Sequence, residues 1–357
     1  MNVELERPQS LAETDLASWR RLQSSRAELS RAFLCPEFVL AAAAARGDVW
    51  VASIEDDGRL VGFFPFQRRG GDEGLPVGFG ISSVQGAVTD PGAPFDPREL
   101  IGACGLDSWY FDHLVPSISF EPHYSGLRNA CFVDVAHGYD AYARERREAG
   151  SRQIAELERK ARKLEREVGP VEFTLHSDEP ELLRLLMQWK SEQFRRTGFV
   201  DRFRIPWVVE TVERVHATQA AHFAGILSVL SADGKPIAMN MGMRSHTALE
   251  IWFPTYDSDF ASYSPGLILL LKLAQSAPQA GLTTLELGRS GAPYKERLMN
   301  GERPQAAGRV SLSARPARRH SPERLLRAIP GARVGRVLDR LEERRRWRSL
   351  EPRPGDR

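Results

Sequence analysis

Two segments of this chain repeat the same order of features, and that repeat limits the fold more than any other property of the sequence. Val49–Glu55 (VWVASIE) leads through Asp56-Asp57-Gly58 into Arg59–Gln67 (RLVGFFPFQ). His222–Ser231 (HFAGILSVLS) leads through Ala232-Asp233-Gly234 into Lys235–Met243 (KPIAMNMGM). Each is an apolar strand, an Asp-Gly turn and a second apolar strand, the pattern of a β-hairpin. Helical periodicity precedes both: Leu16–Leu29 and Glu37–Ala45 before the first hairpin, Glu179–Thr197 and Pro206–Gln219 before the second. A duplicated order of helices and hairpin predicts two mixed α/β domains in tandem. The 357 residues are enough to build two cores.

Between the repeats, Ile154, Leu157, Ala161, Leu164 and Val168 recur at 3-4-3-4 spacing within a highly charged stretch. That spacing gives a helix with a narrow apolar stripe, suited to lie across two domains. The organisation expected is therefore a first domain at 1–138, a connecting helix at 139–168, a second domain at 169–314 and a tail at 315–357. The tail is rich in arginine, and Pro322–Leu326 and Val334–Arg346 read as helical on either side of Pro330-Gly331. Its arginines fit a solvated basic helix packed on the body. They also fit a regulatory nucleotide site, for which Arg336–Asp339 (RVLD) has an RxxD pattern.

Several function classes are disfavoured. A formal net charge of +2, acids interleaved with the arginines and few aromatics among them argue against DNA binding. The first residues, MNVELERPQSLAETD, lack the basic start and apolar stretch of a secretory signal. No apolar run, Leu267–Leu271 included, approaches the roughly 18–20 residues that span a bilayer. Cys35, Cys104 and Cys131 form no metal-ligand or CxxC spacing, and an odd count reads as reduced thiols. These features lead us to expect a cytoplasmic protein. The eight histidines show no paired ligand spacing, so no metal is expected.

The chemically informative stretch runs from 222 to 304. After the second hairpin come a strand, Ala248–Pro254 (ALEIWFP), then Ser264-Pro265-Gly266, a helix at Leu267–Ser276, a strand at Thr284–Gly288 (TLELG) and Arg289–Arg297 (RSGAPYKER). Ser264 suits a helix N-cap, Pro265 the first helical turn, and Gly266 a close approach of backbone to ligand. A helix N-terminus just beyond a central strand suits a pyrophosphate, although Ser-Pro-Gly is also simply a good helix start. Glu286 could serve as a base, or it could only pair with Arg289 at the end of its strand. Lys190, Gln193 and Arg196 recur every three residues and can line one helix face, either to bind an acceptor or to meet solvent.

Together, Y-x-x-x-F-x-x-Y-S-P-G-L over 256–267, a helix, a strand ending in Leu-Gly and the pair Tyr294-Lys295 resemble the GNAT acyltransferases of the CelD type, the cellulose and exopolysaccharide branch related to the Fem aminoacyl ligases. Trp189–Phe203 (WKSEQFRRTGFVDRF) is similar to the K-x-x-Q-x-x-R-x-G segment of that branch, and Ala32–Val39 and Leu60–Phe66 to its first domain. The resemblance spans roughly residues 10–314. It implies a mixed α/β fold of two tandem GNAT-like domains joined by a long helix, with a basic helical C-terminal tail outside the resemblance. It also implies that Ser264, Pro265, Gly266 and Leu267 hold the pyrophosphate of acyl-CoA, acetyl-CoA foremost. This loop has one glycine where the GNAT pattern Q/R-x-x-G-x-G/A has two, so an aminoacyl-tRNA donor stays open. Tyr294 would protonate the leaving thiolate, Lys295 would meet developing negative charge or a substrate phosphate, and Lys190, Gln193, Arg196 and Arg289 would hold the acceptor. The expected reaction is N-acylation of a small amine, such as an amino sugar or another glycan precursor, without metal. The first half lacks a Ser-Pro-Gly and a Tyr-Lys pair, which suggests a degenerate partner domain. A non-catalytic member that binds a nucleotide or partner through its tail remains the other class.

Overall fold

A computed structural model describes residues 1–93 and 95–313, so the expected arginine-rich tail at 315–357 and its RxxD pattern lie outside the described residues. The first half contributes strands β1 (Asn2–Glu6), β2 (Val49–Asp56), β3 (Arg59–Arg69), β4 (Glu73–Leu75), β5 (Val88–Thr89), β6 (Ser108–Leu114) and β7 (Tyr124–Asp134). Its helices are α1 (Glu13–Ser24), α2 (Pro36–Ala45) and α3 (Pro97–Ala103). Helices α4 (Tyr139–Glu148) and α5 (Gln153–Glu167) connect the halves. The second half contributes β8 (Val171–Thr174), β9 (Phe223–Ala232), β10 (Lys235–Ser245), β11 (Ala248–Tyr256), β12 (Thr284–Arg289) and β13 (Gly301–Ser311). With them run α6 (Pro180–Thr197), α7 (Pro206–Ala217), α8 (Pro265–Ser276) and α9 (Pro293–Leu298).

Both repeated hairpins form. Asp56 pairs with Arg59 and Ala232 with Lys235, which leaves Asp57-Gly58 and Asp233-Gly234 as two-residue loops. All four loop residues have positive φ: 48° and 75° in the first turn, 50° and 71° in the second. A turn of this hand matches the twist of its strands, and Asp and Gly accept the left-handed backbone at low cost.

One sheet runs through the described residues in the order β1-β2-β3-β4-β6-β13-β7-β12-β11-β10-β9-β8, with β5 pairing to β3 off this path. Its centre is where the halves meet. β13, late in the chain, lies antiparallel between β6 and β7 of the first half. β7 pairs on its other side with β12 of the second half. Each half thus lends a strand to the other's sheet, an arrangement that hydrophobic pattern alone does not reveal.

The connecting segment is two helices rather than one, broken where Gly150 takes φ +79°. The expected stripe of α5 is the packed one: Ile154, Leu157 and Leu164 are buried with Ile268, Leu269 and Leu271 of α8. A second core crosses the halves, with Phe33, Phe38 and Val39 in the same cluster as Val208, Val212 and Phe253. Buried within the junction is an ion pair of opposite origin in the chain. Arg31 donates to both oxygens of Glu250, at 2.6 and 2.9 Å, and its third nitrogen lies 3.2 Å from Glu286. A planar guanidinium suits this bidentate grip, and the geometry offsets the cost of removing the charges from water.

Candidate active site

β11 and β12 run parallel only from Ala248–Glu250 against Thr284–Glu286, and then they part. β11 continues to Tyr256 and β12 to Arg289, so the sheet opens toward their carboxyl ends. A register shift between Glu286 and Gly288 of β12, with Gly288 at φ +73°, turns the end of that strand. The resulting cavity, about 350 Å³, is lined by Ile251, Trp252 and Pro254 on one side and by Leu287, Gly288 and Arg289 on the other. Tyr294 and Lys295 of α9 and Arg202 also line it. The first half closes it with Gly80–Ser83, Asp112 and His113. Trp252 fixes that closure by donating from its indole nitrogen to Ile81 O at 2.8 Å.

Two residues beyond Pro254, β11 ends, and the short turn after it leads into α8. Ser264 stands at the helix N-terminus in a left-handed conformation, φ 58° and ψ 50°. Its hydroxyl does not cap the helix as the sequence suggested; it accepts from Lys160 Nζ of α5 at 2.8 Å. The N–H groups of Leu267 and Ile268 are bonded to Ser264 O, whereas Pro265 has none to offer and Gly266 N–H has no backbone partner among the described residues. Leu267 packs against the α5–α8 core. The Gly266 N–H, the Ser264 O–H and the Lys160 ammonium, which also has Glu156 at 3.4 Å, are therefore the groups at this terminus with charge or a donor to present to an anion. A Cβ on Gly266 would sit 3.3 Å from the Tyr256 ring, so even a methyl group there requires that ring to shift by a few tenths of an ångström.

At the cavity, burial pushes the Tyr294 hydroxyl up to about 12, with Cys131 adding to the effect. Tyr294 therefore keeps its proton at neutral pH. Burial lowers the Lys295 ammonium to about 8, and nearby Arg289 acts in the same direction. Its Nζ donates to Arg289 O at 2.9 Å. Lys190 of α6 donates to Pro254 O at 2.7 Å, which places it behind a lining residue. Burial lowers it to about 7, with Arg202 and Lys295 contributing.

Of the residues singled out in the sequence, Tyr294, Lys295 and Arg289 line the cavity and Lys190 adjoins it. Gln193 and Arg196 do not line it, and Arg196 is exposed on α6. Glu286 is placed otherwise than a base requires. It is buried outside the lining, with Arg31 and Arg303 each 3.2 Å from its carboxylate, rather than paired with Arg289. A carboxylate buried between two guanidiniums, outside the cavity lining, has no open path to a substrate proton.

The pair the sequence did not single out comes from the first half. His113 Nδ1 is 2.8 Å from Asp112 Oδ1, and Gln85 Nε2 donates to the same oxygen at 2.7 Å. Gln85 Oε1 accepts from the backbone N–H of both Asp112 and His113, at 2.9 and 3.0 Å. A carboxylate oxygen only accepts, so Nδ1 is the donating nitrogen of the imidazole in this pair. The consecutive Asp-His within WYFDHL was the available signal. Lys160 gave less, since on sequence it is one cation among many on a charged helix.

Comparisons with known proteins bear on the fold. Residues 151–296 match the acetyltransferase (GNAT) domain. No protein of curated function matches the sequence. Among solved structures, FemX superposes with a TM-score of 0.55 at 8% identity, covering 87% of this chain and 96% of that one. A conserved protein from Bacteroides thetaiotaomicron gives 0.53 at 9% identity, covering 86% and 100%. The C-terminal domain of a protein described as a lysylphosphatidylglycerol synthetase, from Agrobacterium fabrum, gives 0.50 at 14%, covering 92% and 96%. Among the described residues no helix is long and apolar enough to cross a membrane, and no group of His, Cys, Asp and Glu could hold a metal ion. The chain thus has a mixed α/β fold built on one sheet, and within it residues 151–296 are similar to the GNAT acetyltransferase domain.

Proposed function

We propose that the protein is an N-acyltransferase that moves an acyl group from acyl-CoA to an amine, with acetyl-CoA the first donor to test and an amino sugar of a cell-surface polysaccharide pathway the first acceptor class. The observation that carries this reading is the parting of β11 and β12 directly before the α8 N-terminus. A donor whose pyrophosphate lies at Gly266 and Lys160 can run its thioester arm between the parted strands and deliver the carbonyl to the cavity. The free backbone edges of the two strands supply donors and acceptors for amide groups in that arm.

The cavity then holds the groups that direct transfer needs. The amine nitrogen attacks the thioester carbonyl, and His113 Nε2 takes the proton it loses while Asp112 holds the ring and stabilises its charge. The C–S bond breaks, and Tyr294, protonated at neutral pH, gives its proton to the departing thiolate. Lys295 is placed to meet negative charge that develops on the carbonyl oxygen. No covalent enzyme intermediate is required. The first half, expected to be only a degenerate partner, supplies the base in this mechanism.

His113→Gln is expected to lower turnover about 10²–10⁴-fold while leaving KM for the donor nearly unchanged. The assay is release of free thiol from acetyl-CoA across a panel of amines, followed from pH 5 to 9. A variant that keeps the wild-type rate removes His113 from the mechanism.

A further inference from the structure

A second cavity lies wholly within the first half and has no part in the transfer mechanism. It encloses about 280 Å³ between Arg26 and Leu29, which follow α1, Thr89 of β5, Leu114 at the end of β6 and the turn that ends in Phe120. Its body is apolar, with Leu29, Leu114 and Phe120 each only 1% exposed. Ile118, which lines the same space, is 89% exposed, so apolar surface continues to the mouth. A cavity of roughly 150 Å³ lined by such side chains admits a benzene ring. This one has room for a ring and a small polar head.

One cation stands in that apolar wall. Arg26 makes a single long hydrogen bond, from Nη2 to Thr89 O at 3.4 Å, and its Nε is buried with no partner among the described residues. Nε and Nη2 form the edge with which Arg31 of this chain grips both oxygens of Glu250, at 2.6 and 2.9 Å. In Arg26 that edge meets no carboxylate among the described residues. Asp90 also lines the cavity, but its carboxylate lies 3.1 Å from Arg59, which is outside the lining. Buried donors are normally satisfied, and a guanidinium edge set in an apolar pocket is matched by a planar anion with an apolar body.

We infer that this cavity is a binding site for a small carboxylic acid, with its carboxylate on Arg26 and its apolar body between Leu29, Leu114 and Phe120. A single cation favours a monoanion, because a phosphate monoester brings close to two charges at neutral pH and no other cation lines the cavity. The two cavities share no lining residue, although consecutive residues of one strand end line them: Asp112 and His113 the first, Leu114 and Val115 the second. The inference therefore does not rest on the acyl-transfer reading.

The test uses benzoate as the probe, with benzyl alcohol as its neutral counterpart and phenyl phosphate as the more highly charged one. Each is titrated by ligand-observed NMR at low ionic strength. Wild type is expected to bind benzoate about tenfold or more tightly than either of the others. Arg26→Gln should weaken benzoate about tenfold or more and leave benzyl alcohol unchanged. Arg26→Lys keeps the charge without the paired donors and should recover only part of that affinity. Thermal melts verify that both variants fold, and if Arg26→Gln does not, Arg26→Lys alone decides. Benzoate should still bind when acetyl-CoA is saturating and in Gly266→Trp, so this inference and the donor reading can fail separately. It is overturned if benzoate does not bind, if benzyl alcohol or phenyl phosphate binds as tightly, if acetyl-CoA displaces benzoate, or if the folded Arg26 variants bind it as wild type does.

Discussion

Replacing Arg31 with Met is expected to destabilise the protein by about 3–5 kcal/mol at pH 7, more than any surface substitution should. Arg31 is buried between Glu250 and Glu286, which are also buried and belong to neighbouring strands of the other half. Without the guanidinium, Glu286 keeps Arg303 at 3.2 Å, but Glu250 loses its one ion pair among the described residues. A buried carboxylate stripped of its cation must either stay ionised at great cost or take up a proton. Burial already raises Glu250 above the ordinary carboxylate range, against the pull of Arg31. Removing Arg31 should raise it further. The sign follows from linkage: a carboxyl whose folded pKa is raised binds more protons folded than unfolded, so stability falls as pH rises above the unfolded value of about 4.3. The loss in Arg31→Met should therefore be largest at neutral pH and shrink toward pH 4.5. Urea unfolding of wild type and variant at pH 7, 6 and 5 measures it. A constant difference across that range would mean that lost packing, not stranded charge, is responsible.

Truncation after Asn300 should have a larger effect still and prevent cooperative folding of either half. Removing a terminal strand from an ordinary tandem protein would damage one domain. Here β13 lies between β6 and β7, so its loss leaves both with unpaired edges inside the sheet and separates the first half from the strand that joins it to β12. It also removes Ala306 and Val310 from the first-half core, where they lie buried with Trp109 and Phe111. Arg303 leaves Glu286 at the same time. Circular dichroism and thermal melting of the shortened chain should show no native transition. A truncated protein whose second half melts cooperatively would contradict the exchanged-strand account.

What the sequence disclosed and what it hid divide along a physical line. Hairpins, the α5 stripe and the α8 start are set within a few neighbouring residues. Asp-Gly turns, 3-4-3-4 spacing and a Pro at the first helical turn are local signals, and each corresponds to an element in the structure. The break at Gly150 was also local, but charged helical sequence on both sides masked it. Contacts made across long separations were not legible. Nothing local in GERPQAAGRVS says that it will enter the first half's sheet, and Glu286 looked like a neighbour of Arg289 because strand alternation says nothing of Arg31, far away in the chain. The candidate site shows the same division. Tyr294 and Lys295 came from a motif, whereas His113, Ser82 and Lys160 reach the site from other segments and carried no spacing to betray them.

The first measurement to make is calorimetric titration of acetyl-CoA into wild type and Gly266→Trp, with Lys160→Ala as the milder partner. In this account wild type binds one equivalent, and Gly266→Trp abolishes binding because a side chain there meets the Tyr256 ring and fills the approach to the helix terminus. Lys160→Ala should weaken binding about tenfold, as expected for one lost charge-assisted bond to a phosphate oxygen. Folded wild type that binds neither acetyl-CoA nor longer acyl-CoAs would contradict the central claim, and the parted strands would then have to receive another donor, aminoacyl-tRNA being the next to try.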